Sequence, residues 1–221
     1  DWQISSGTLT VRRAAAATDG TRTMTPEQAG AVLAAIAYSN PSRNPTLTER
    51  EVRFTLVEEW TSISTEPGAH KVTITPVNDP PEITGFSSSP VVQYTEGQEE
   101  KKKVAVTLTL ADFDSVQIQT AKVWITPEVN LDKLSLDKAG LAIPAGNIVS
   151  DGDFRLEIKG PSSIANVQEA LRRLEYHSEN RNPVNLTRTV WVEVEDVPAA
   201  GTDGTRATTR SSRNIIITTV N

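Results

Sequence analysis

The oxygen-bearing side chains near residue 79 have the most evident chemistry in this sequence. Asn78 and Asp79 stand directly before two prolines, and Asp112 and Asp114 follow 33 and 35 residues after Asp79. In an extended chain, the two carboxylates of an Asp-x-Asp run lie on the same side. Calcium takes roughly six to eight oxygen ligands, mostly carboxylates and carbonyls. These four residues, with Glu96 as a further oxygen donor, therefore predict a calcium site.

The segment that positions these acids is the run of residues 72–86. Val72 and Ile74 alternate with threonines, which is typical of a strand. Pro80 and Pro81 donate no backbone hydrogen bonds and hold the chain extended, so no sheet continues through them. The run predicts a strand, a stiff joint and a new strand. If the following strands form a sandwich, one strand out and one back would return the Asp-x-Asp run to the joint.

A second interpretation of the same acids stays open. In it, Asp79 caps a turn before the prolines, and Asp112 and Asp114 are solvated loop acids.

Glu58 and Glu59 would be additional oxygen donors if a metal is bound. We expect only weak calcium binding, or none, unless at least about five oxygens cluster.

Catalytic patterns are weak throughout the chain. The two histidines, His70 and His177, have no neighbouring acid or nucleophile arranged as a relay, and there is no cysteine or glycine-rich phosphate loop. We therefore predict that the protein is not an enzyme.

Composition narrows the class of protein further. The chain has 221 residues, 37% of them hydrophobic and 23% charged, which suits a globular protein. A net charge of −6 without a basic patch argues against nucleic-acid binding. The longest apolar run, residues 29–38, is shorter than the ~20 residues of a membrane span. We expect any targeting segment to precede Asp1.

An internal repeat is the most informative pattern in the chain. At a constant offset of 138, Leu33 matches Leu171, Tyr38 matches Tyr176, the run 43–45 (Arg-Asn-Pro) matches 181–183, Arg50 matches Arg188 and Val52 matches Val190. The terminal runs 72–78 and 215–221 match at an offset of 143. The repeat predicts two modules: residues 1–78, the C-terminal part of a module without its front half, and residues 79–221, a complete module.

Alternation within the second module predicts several short strands. We expect inward residues in the runs 104–112 (Val104, Val106, Leu108, Leu110), 121–126 (Ala121, Val123, Ile125), 154–159 (Phe154, Leu156, Ile158) and 190–196 (Val190, Val192, Val194), with 215–220 closing the module. Turn signals lie between them at residues 151–152 and 201–204. Many strands at short spacing indicate an antiparallel sandwich.

Each module also contains one predicted helix. In the first, Thr25 is the expected N-cap, Pro26 the first helical residue and Gln28 the third, and in the second the run 163–174 has the same role. Tyr38 and Tyr176 follow the helices, and we expect them to be core or corner residues.

The four tryptophans could be buried in packing or could form part of a binding surface. Trp124 and Trp191 fall on the outward phase of their strands, where packing is favoured over stacking on sugars. Trp2 and Trp60 lie outside the strand runs described above. Asn185 begins a glycosylation sequon, which matters only in a eukaryotic secretory route.

These motifs, in their order, resemble a known family. The runs 91–97, 108–115, 121–125, 170–176 and 181–196 and the terminal 217–221 resemble the cadherin-like tandem repeats of large bacterial surface adhesins and related extracellular proteins. The resemblance implies an all-β fold of tandem antiparallel Greek-key sandwiches of cadherin or immunoglobulin type, each with one short helix. It also implies an extracellular or cell-surface location, and calcium at the joints in many members. Two departures are Pro76, where such joints usually carry an acid, and the lack of an Asp-x-Asp run in the first module.

The expected function is mechanical: stiff modules that hold a binding region away from a surface. The expected partners are neighbouring modules of the same chain. The alternatives are recognition of a surface glycan or a protein, and assembly with other copies through unpaired strands of the incomplete first module.

Overall fold

The structure, a computed structural model, describes residues 2–5, 8–11, 24–57, 63–65, 67–184 and 186–220. The side chains of 2–5, together with Glu58, Glu59, Trp60, Asn185 and Asn221, lie outside the described part, so the expectations for them are not addressed below. The chain forms two compact units, one of Asp1–Ser42 with Thr48–Ile74 and one of Arg43–Leu47 with Thr75–Asn221. Each is described by itself.

The first unit contains two strand pairs and a helix. β1 (Trp2–Ser5) pairs antiparallel with β2 (Thr8–Val11), and β3 (Arg50–Phe54) pairs antiparallel with β4 (Gly68–Val72). Helix α1 spans Pro26–Ala34. No residue among those described in this unit has a buried side chain.

The predicted start of α1 is confirmed. The Thr25 hydroxyl accepts from the Gln28 N–H at 3.3 Å, and the Gln28 side chain accepts from the Thr25 N–H at 3.1 Å. Pro26 follows the cap, where its missing N–H costs no helical bond. This reciprocal capping box explains why a helix begins here although its sides remain accessible.

The second unit is built almost entirely of strands. Its elements are β5 (Glu82–Thr84), β6 (Val92–Thr95), β7 (Lys102–Lys103), β8 (Thr109–Ala111), β9 (Gln117–Thr126), β10 (Asp132–Leu136), β11 (Ile148–Asp151), β12 (Arg155–Ser163), α2 (Ile164–Arg172), β13 (Leu174–Ser178), β14 (Thr187–Asp196) and β15 (Thr208–Thr218). A single turn of 3₁₀ helix, Ala145–Asn147, precedes β11.

Two main sheets enclose the core of this unit. One has six strands in the order β11-β12-β9-β14-β15-β6, and the other has three in the order β10-β13-β7, with β5 and β8 as a separate pair. All these pairs are antiparallel except β15 with β6, which is parallel. Side chains from these sheets and from α2 form one apolar cluster. The all-β sandwich class predicted from the sequence is confirmed.

Most predicted inward residues are buried. They are Ala121, Val123 and Ile125 on β9, Leu156 and Ile158 on β12, and Val190, Val192 and Val194 on β14. Phe154 precedes β12 and packs partly buried against the core. The strict alternation of side chains along a strand accounts for this agreement.

The strand predicted over 104–112 is wrong in its middle. Val104, Leu108 and Leu110 are buried, but Val106 is 50% exposed. The N–H of Leu108 donates to the carbonyl of Ala105 at 3.0 Å, which makes a turn between β7 and β8. The alternating run 104–112 therefore consists of a turn followed by one short strand, β8, rather than a single long strand.

The repeat tyrosines differ in environment. Tyr176 lies on β13 and is fully buried, as predicted, whereas Tyr38 is 45% exposed, so the prediction is wrong there. The Tyr176 hydroxyl donates to Asp132 Oδ1 at 3.0 Å, and the Arg188 guanidinium forms an ion pair with Asp132 Oδ2. Burial and the Asp132 carboxylate raise the pKa of Tyr176. Arg188, the repeat partner of Arg50, therefore forms its ion pair inside its own unit.

Candidate metal centre

The loop between β8 and β9 holds the Asp-x-Asp run in a tight turn. Asp112 Oδ1 accepts from the backbone N–H groups of Asp114 at 3.1 Å and Ser115 at 2.9 Å. The Ser115 hydroxyl then donates to the carbonyls of Val197 at 2.6 Å and Gln117 at 3.0 Å. Aspartate favours such turns because its side chain can bond the backbone two residues on. The turn fixes the direction of the Asp112 carboxylate.

Residues 78 and 79 are attached to this loop and to the end of β14. The Asp79 N–H donates to Asp114 Oδ2 at 3.0 Å. The Asn78 amide donates to Asp196 Oδ2 at 2.6 Å, and its oxygen accepts from the Ala199 N–H at 3.1 Å. Asn78, Asp79, Asp112 and Asp114, predicted as a group, therefore meet at one end of the sandwich.

Two carboxylate oxygens in this cluster are buried without a hydrogen-bond partner. They are Asp112 Oδ2 and Asp114 Oδ1. Burial raises the pKa of Asp112 to about 6, opposed by the N–H groups of Ser115 and Asp114 and reinforced by the Asp114 carboxylate. A buried oxygen without a donor is costly, so this pair of acids favours a proton or a cation.

Asp196 is a further acid of the cluster that the sequence analysis did not name. It is fully buried, and its Oδ1 accepts from the Ala207 N–H at 2.8 Å. The repeat contained the signal, since Asp196 stands 138 residues after Glu58, which was considered as an oxygen donor. Asp196 adds negative charge beside Asn78.

Glu96 is not part of this cluster. Its N–H donates to the Thr218 carbonyl at 2.9 Å, and its Oε1 accepts from the Val220 N–H at 2.8 Å. Thr218 ends β15 whereas Asp196 lies beside the start of that strand, so the two acids are about 30 Å apart at ~3.3 Å per residue. Glu96 Oε2 is also buried without a hydrogen-bond partner. The structure thus separates Glu96 from the other four predicted ligands.

Asp79 is also engaged by an arginine. Arg43 Nε lies 3.2 Å from Asp79 Oδ2, and Arg43 Nη1 lies 3.0 Å from Glu82 Oε1. Within the described ranges, no three acidic or histidine side chains are arranged to hold one ion as they stand. Calcium also accepts carbonyl and water oxygens. In this cluster Asp112 Oδ2 and Asp114 Oδ1 are the oxygens without a donor, whereas Asn78 Oδ1 and Asp79 Oδ2 are already engaged by Ala199 and Arg43.

The histidines lie apart from these acids. The His177 Nδ1 atom lies 3.2 Å from the Tyr94 hydroxyl, which also donates to the Ser178 carbonyl at 3.0 Å. His70 lies on β4 and is exposed. The Tyr94 hydroxyl thus links β6 to β13 through His177 and Ser178.

The outward face of the six-stranded sheet carries a pair of aromatic rings. Trp124 and Trp191 face each other across β9 and β14, with ring centroids 6.1 Å apart and planes at 12°. Trp191 Nε1 donates to the Thr126 hydroxyl at 3.1 Å, and Arg210 lies 5.0 Å over the Trp191 ring. Both indoles are half-buried, as the outward phase predicts.

Comparisons with known proteins do not assign this chain to a family. No family model matches the chain, and no curated protein matches it. Among solved structures, it is similar to one described as the protocadherin gammaB7 EC3-6 cis-dimer, with 10% sequence identity and a TM-score of 0.29. The match covers 77% of this chain and 33% of that one, so the chain spans about a third of its length. Among the residues described, no helix is long and apolar enough to cross a membrane.

Proposed function

We propose that this chain is a non-enzymatic structural repeat protein of the cell surface or extracellular space. In this role its modules act as stiff spacers, and calcium rigidifies the joint at residues 78–82. The observation that supports it best is the attachment of the joint: Asn78 and Asp79 are hydrogen-bonded to Asp196 and Asp114 in the body of the second unit. A proline-stiffened segment held in this way has little freedom to bend.

The acid cluster supports the calcium part of the proposal. Asp112 and Asp114 each have a buried carboxylate oxygen without a hydrogen-bond donor, and Asp196, which is bonded to Asn78, adds a buried carboxyl. A divalent cation there would offset the repulsion among these groups and satisfy both orphaned oxygens. The cation would also tie the loop after β8 to the joint.

Calcium titration tests this part. We expect calcium to raise the melting temperature of the full chain, and a chelator to reverse the rise. Asp114→Asn should abolish the response, because it removes a carboxylate that contacts the joint. Glu99→Gln is the matched control, since Glu99 is an exposed acid outside the cluster. Equal melting with and without calcium would eliminate the metal from the proposal.

Stiffness of the joint is tested separately by amide hydrogen exchange. The Asp79 N–H should exchange slowly because it donates to Asp114 Oδ2. We expect Asp114→Ala to speed that exchange at least about fivefold, the factor that corresponds to one lost hydrogen bond. Fast exchange of Asp79 in the unmodified protein would contradict an attached joint, whatever the metal does.

A second candidate function is recognition of a glycan on the outward face of the sheet. Trp124 and Trp191 support it, because sugar rings can stack on half-exposed indoles at the outward face of a sheet. A glycan array followed by titration of tryptophan fluorescence tests it. Trp124→Ala should remove the binding, and Trp191→Ala should do the same. Absence of any glycan-dependent signal would exclude this function.

A further inference from the structure

Arg43 makes three interactions around the start of β5. Its Nε and Nη1 atoms reach Asp79 and Glu82 at 3.2 and 3.0 Å, and its Cζ lies 3.7 Å from the centroid of the Phe113 ring. The planar guanidinium suits this geometry, because two edges donate to carboxylates while a face stacks on the ring. A lysine could not make all three contacts. We call this arrangement the arginine clasp.

The segment that carries Arg43 is anchored at a second point. Residues 43–47 pack as part of the second unit, although residues on both sides of them belong to the first. At the far end of the segment, Leu47 lies against Gly201, where an added Cβ would come within 2.7 Å of Leu47 Cδ1. Gly201 also has a φ of +87°, so a side chain is disfavoured there twice over. The Arg-Asn-Pro run is thus held in place for the clasp.

The same three residues recur at 181–183. Pro183 is buried whereas Arg181 and Asn182 are exposed, so the second copy presents its arginine at the surface. Arg181 has neither a hydrogen bond nor an ion pair to any described residue. In the first copy, the two carboxylates bound by Arg43 follow the Val-Asn of residues 77–78, and a second Val-Asn stands at 220–221.

We propose that the loop at residues 181–183 is a docking site for the acidic joint of another module of this type. The partner it fits is a segment with two carboxylates three residues apart across a Pro-Pro pair, as in residues 79–82. Charge complementarity argues for this occupant. Arg43, the arginine in the first copy of the motif, binds two carboxylates and stacks on one aromatic ring, and Arg181 offers the same side chain. The inference rests on the proposed role as a structural repeat and names the contact between successive modules.

The test uses the full chain lengthened by a second copy of residues 79–221 placed directly after Asn221. Uniform nitrogen labelling and lysine substitution assign the Nε–Hε signals of Arg43 and Arg181. In the 221-residue chain, we expect slow water exchange for Arg43 and fast exchange for Arg181. In the lengthened chain, water exchange of the Arg181 Nε–Hε group should slow by at least about fivefold, as expected when one hydrogen bond forms.

The matched control changes two residues of the added copy, the equivalents of Asp79 and Glu82, to Asn and Gln. It should return Arg181 to fast exchange and leave Arg43 protected. Fast exchange of Arg181 in the lengthened chain, with Arg43 protected, would overturn the docking site. It would leave the attached joint of the proposed function intact, since that joint is measured at the Asp79 amide. Fast exchange of Arg43 itself would overturn the clasp on which the inference is built.

Discussion

Arg188 and Asp132 place two opposite charges in the core of the second unit. Both side chains are fully buried, and Tyr176 completes the group through its hydroxyl. The repeat partners of two of these residues, Arg50 and Tyr38, lie in the first unit and are not fully buried there. A buried ion pair contributes little by itself, but each member depends strongly on the other.

We predict that Asp132→Asn destabilises the second unit by about 3–5 kcal/mol, because it leaves the Arg188 charge buried without its carboxylate. Urea unfolding followed by amide signals of β14 measures this change. Arg155→Ala is the matched comparison, because it removes an exposed ion pair with Glu128 in the same unit, and we expect a change of about 1 kcal/mol or less there. Equal effects of the two substitutions would contradict the assigned burial.

The acid pair at 112 and 114 predicts an unusual pH dependence. The pKa of Asp112 is raised from 3.8 to about 6 in the folded state, so the folded protein keeps this proton to higher pH than the unfolded chain. The stabilisation from Asp112 is therefore present below about pH 4 and is lost as the pH rises through 6.

We expect metal-free protein to lose about 1–2 kcal/mol of stability from this group between pH 4 and 7, after allowance for solvent screening. Urea unfolding across that range measures it. Asp112→Asn should remove the dependence, and calcium should reduce it by replacing the proton. A pH response unchanged in the variant would show that other groups cause it.

At the scale of elements, the two helices begin alike but are stabilised differently. Ser163 caps α2 through a bond from the Asn166 N–H at 3.3 Å, much as Thr25 caps α1. However, α2 buries Val167, Ala170 and Leu171, whereas α1 has no buried residue. Tertiary packing usually contributes more to a helix than its cap does. The N-cap hydrogen bond is therefore a larger share of the stability of α1 than of α2.

Loss of the cap should therefore affect the helices unequally. We predict that Thr25→Ala, at a cost of about 1 kcal/mol, unwinds much of α1, while Ser163→Ala leaves α2 helical at a similar cost. Amide exchange at Ala29, whose N–H donates to the Thr25 carbonyl at 2.9 Å, reports on α1. Exchange at Ala170 reports on α2. Retention of slow exchange at Ala29 in the variant would show that something other than the cap holds α1.

At the scale of the whole molecule, burial is concentrated in one unit. Every buried apolar residue among those described lies at Pro81 or later. In the first unit, large apolar side chains such as Ile36, Phe54 and Ile63 are exposed. The described residues of this unit therefore bury little apolar surface to offset the entropy of folding.

We predict that amides of β3 and β4 exchange about a thousandfold faster than amides of β9 and β14. Hydrogen exchange of the full chain at low protein concentration measures both. If β3 and β4 become protected as the concentration rises, with a matching increase in mass by light scattering, another copy covers the exposed face. Strong protection of β3 and β4 in a monomer would refute the contrast.

Local patterns determined much of this protein from the sequence alone. Period-two alternation predicted the inward residues of β9, β12 and β14, and capping chemistry predicted the first residue of α1, because both depend on neighbours a few residues away. The repeat identified the arginine whose second copy proved to be buried, and the Asp-x-Asp run was correctly expected at the joint. Each of these signals is carried by short-range spacing.

Tertiary structure alone decided which distant residues meet. Asp132 pairs with Arg188 across 56 positions, and Asp196 joins the acids at residues 78–114 while Glu96 lies at the other end of β15. The arginine clasp likewise joins residues that are distant in the sequence, Arg43 with Asp79 and Glu82. Alternation tells which face a residue occupies, but strand order and register tell which end of the sheet it reaches. Those are set by the packing of the whole core, which no short stretch of sequence contains.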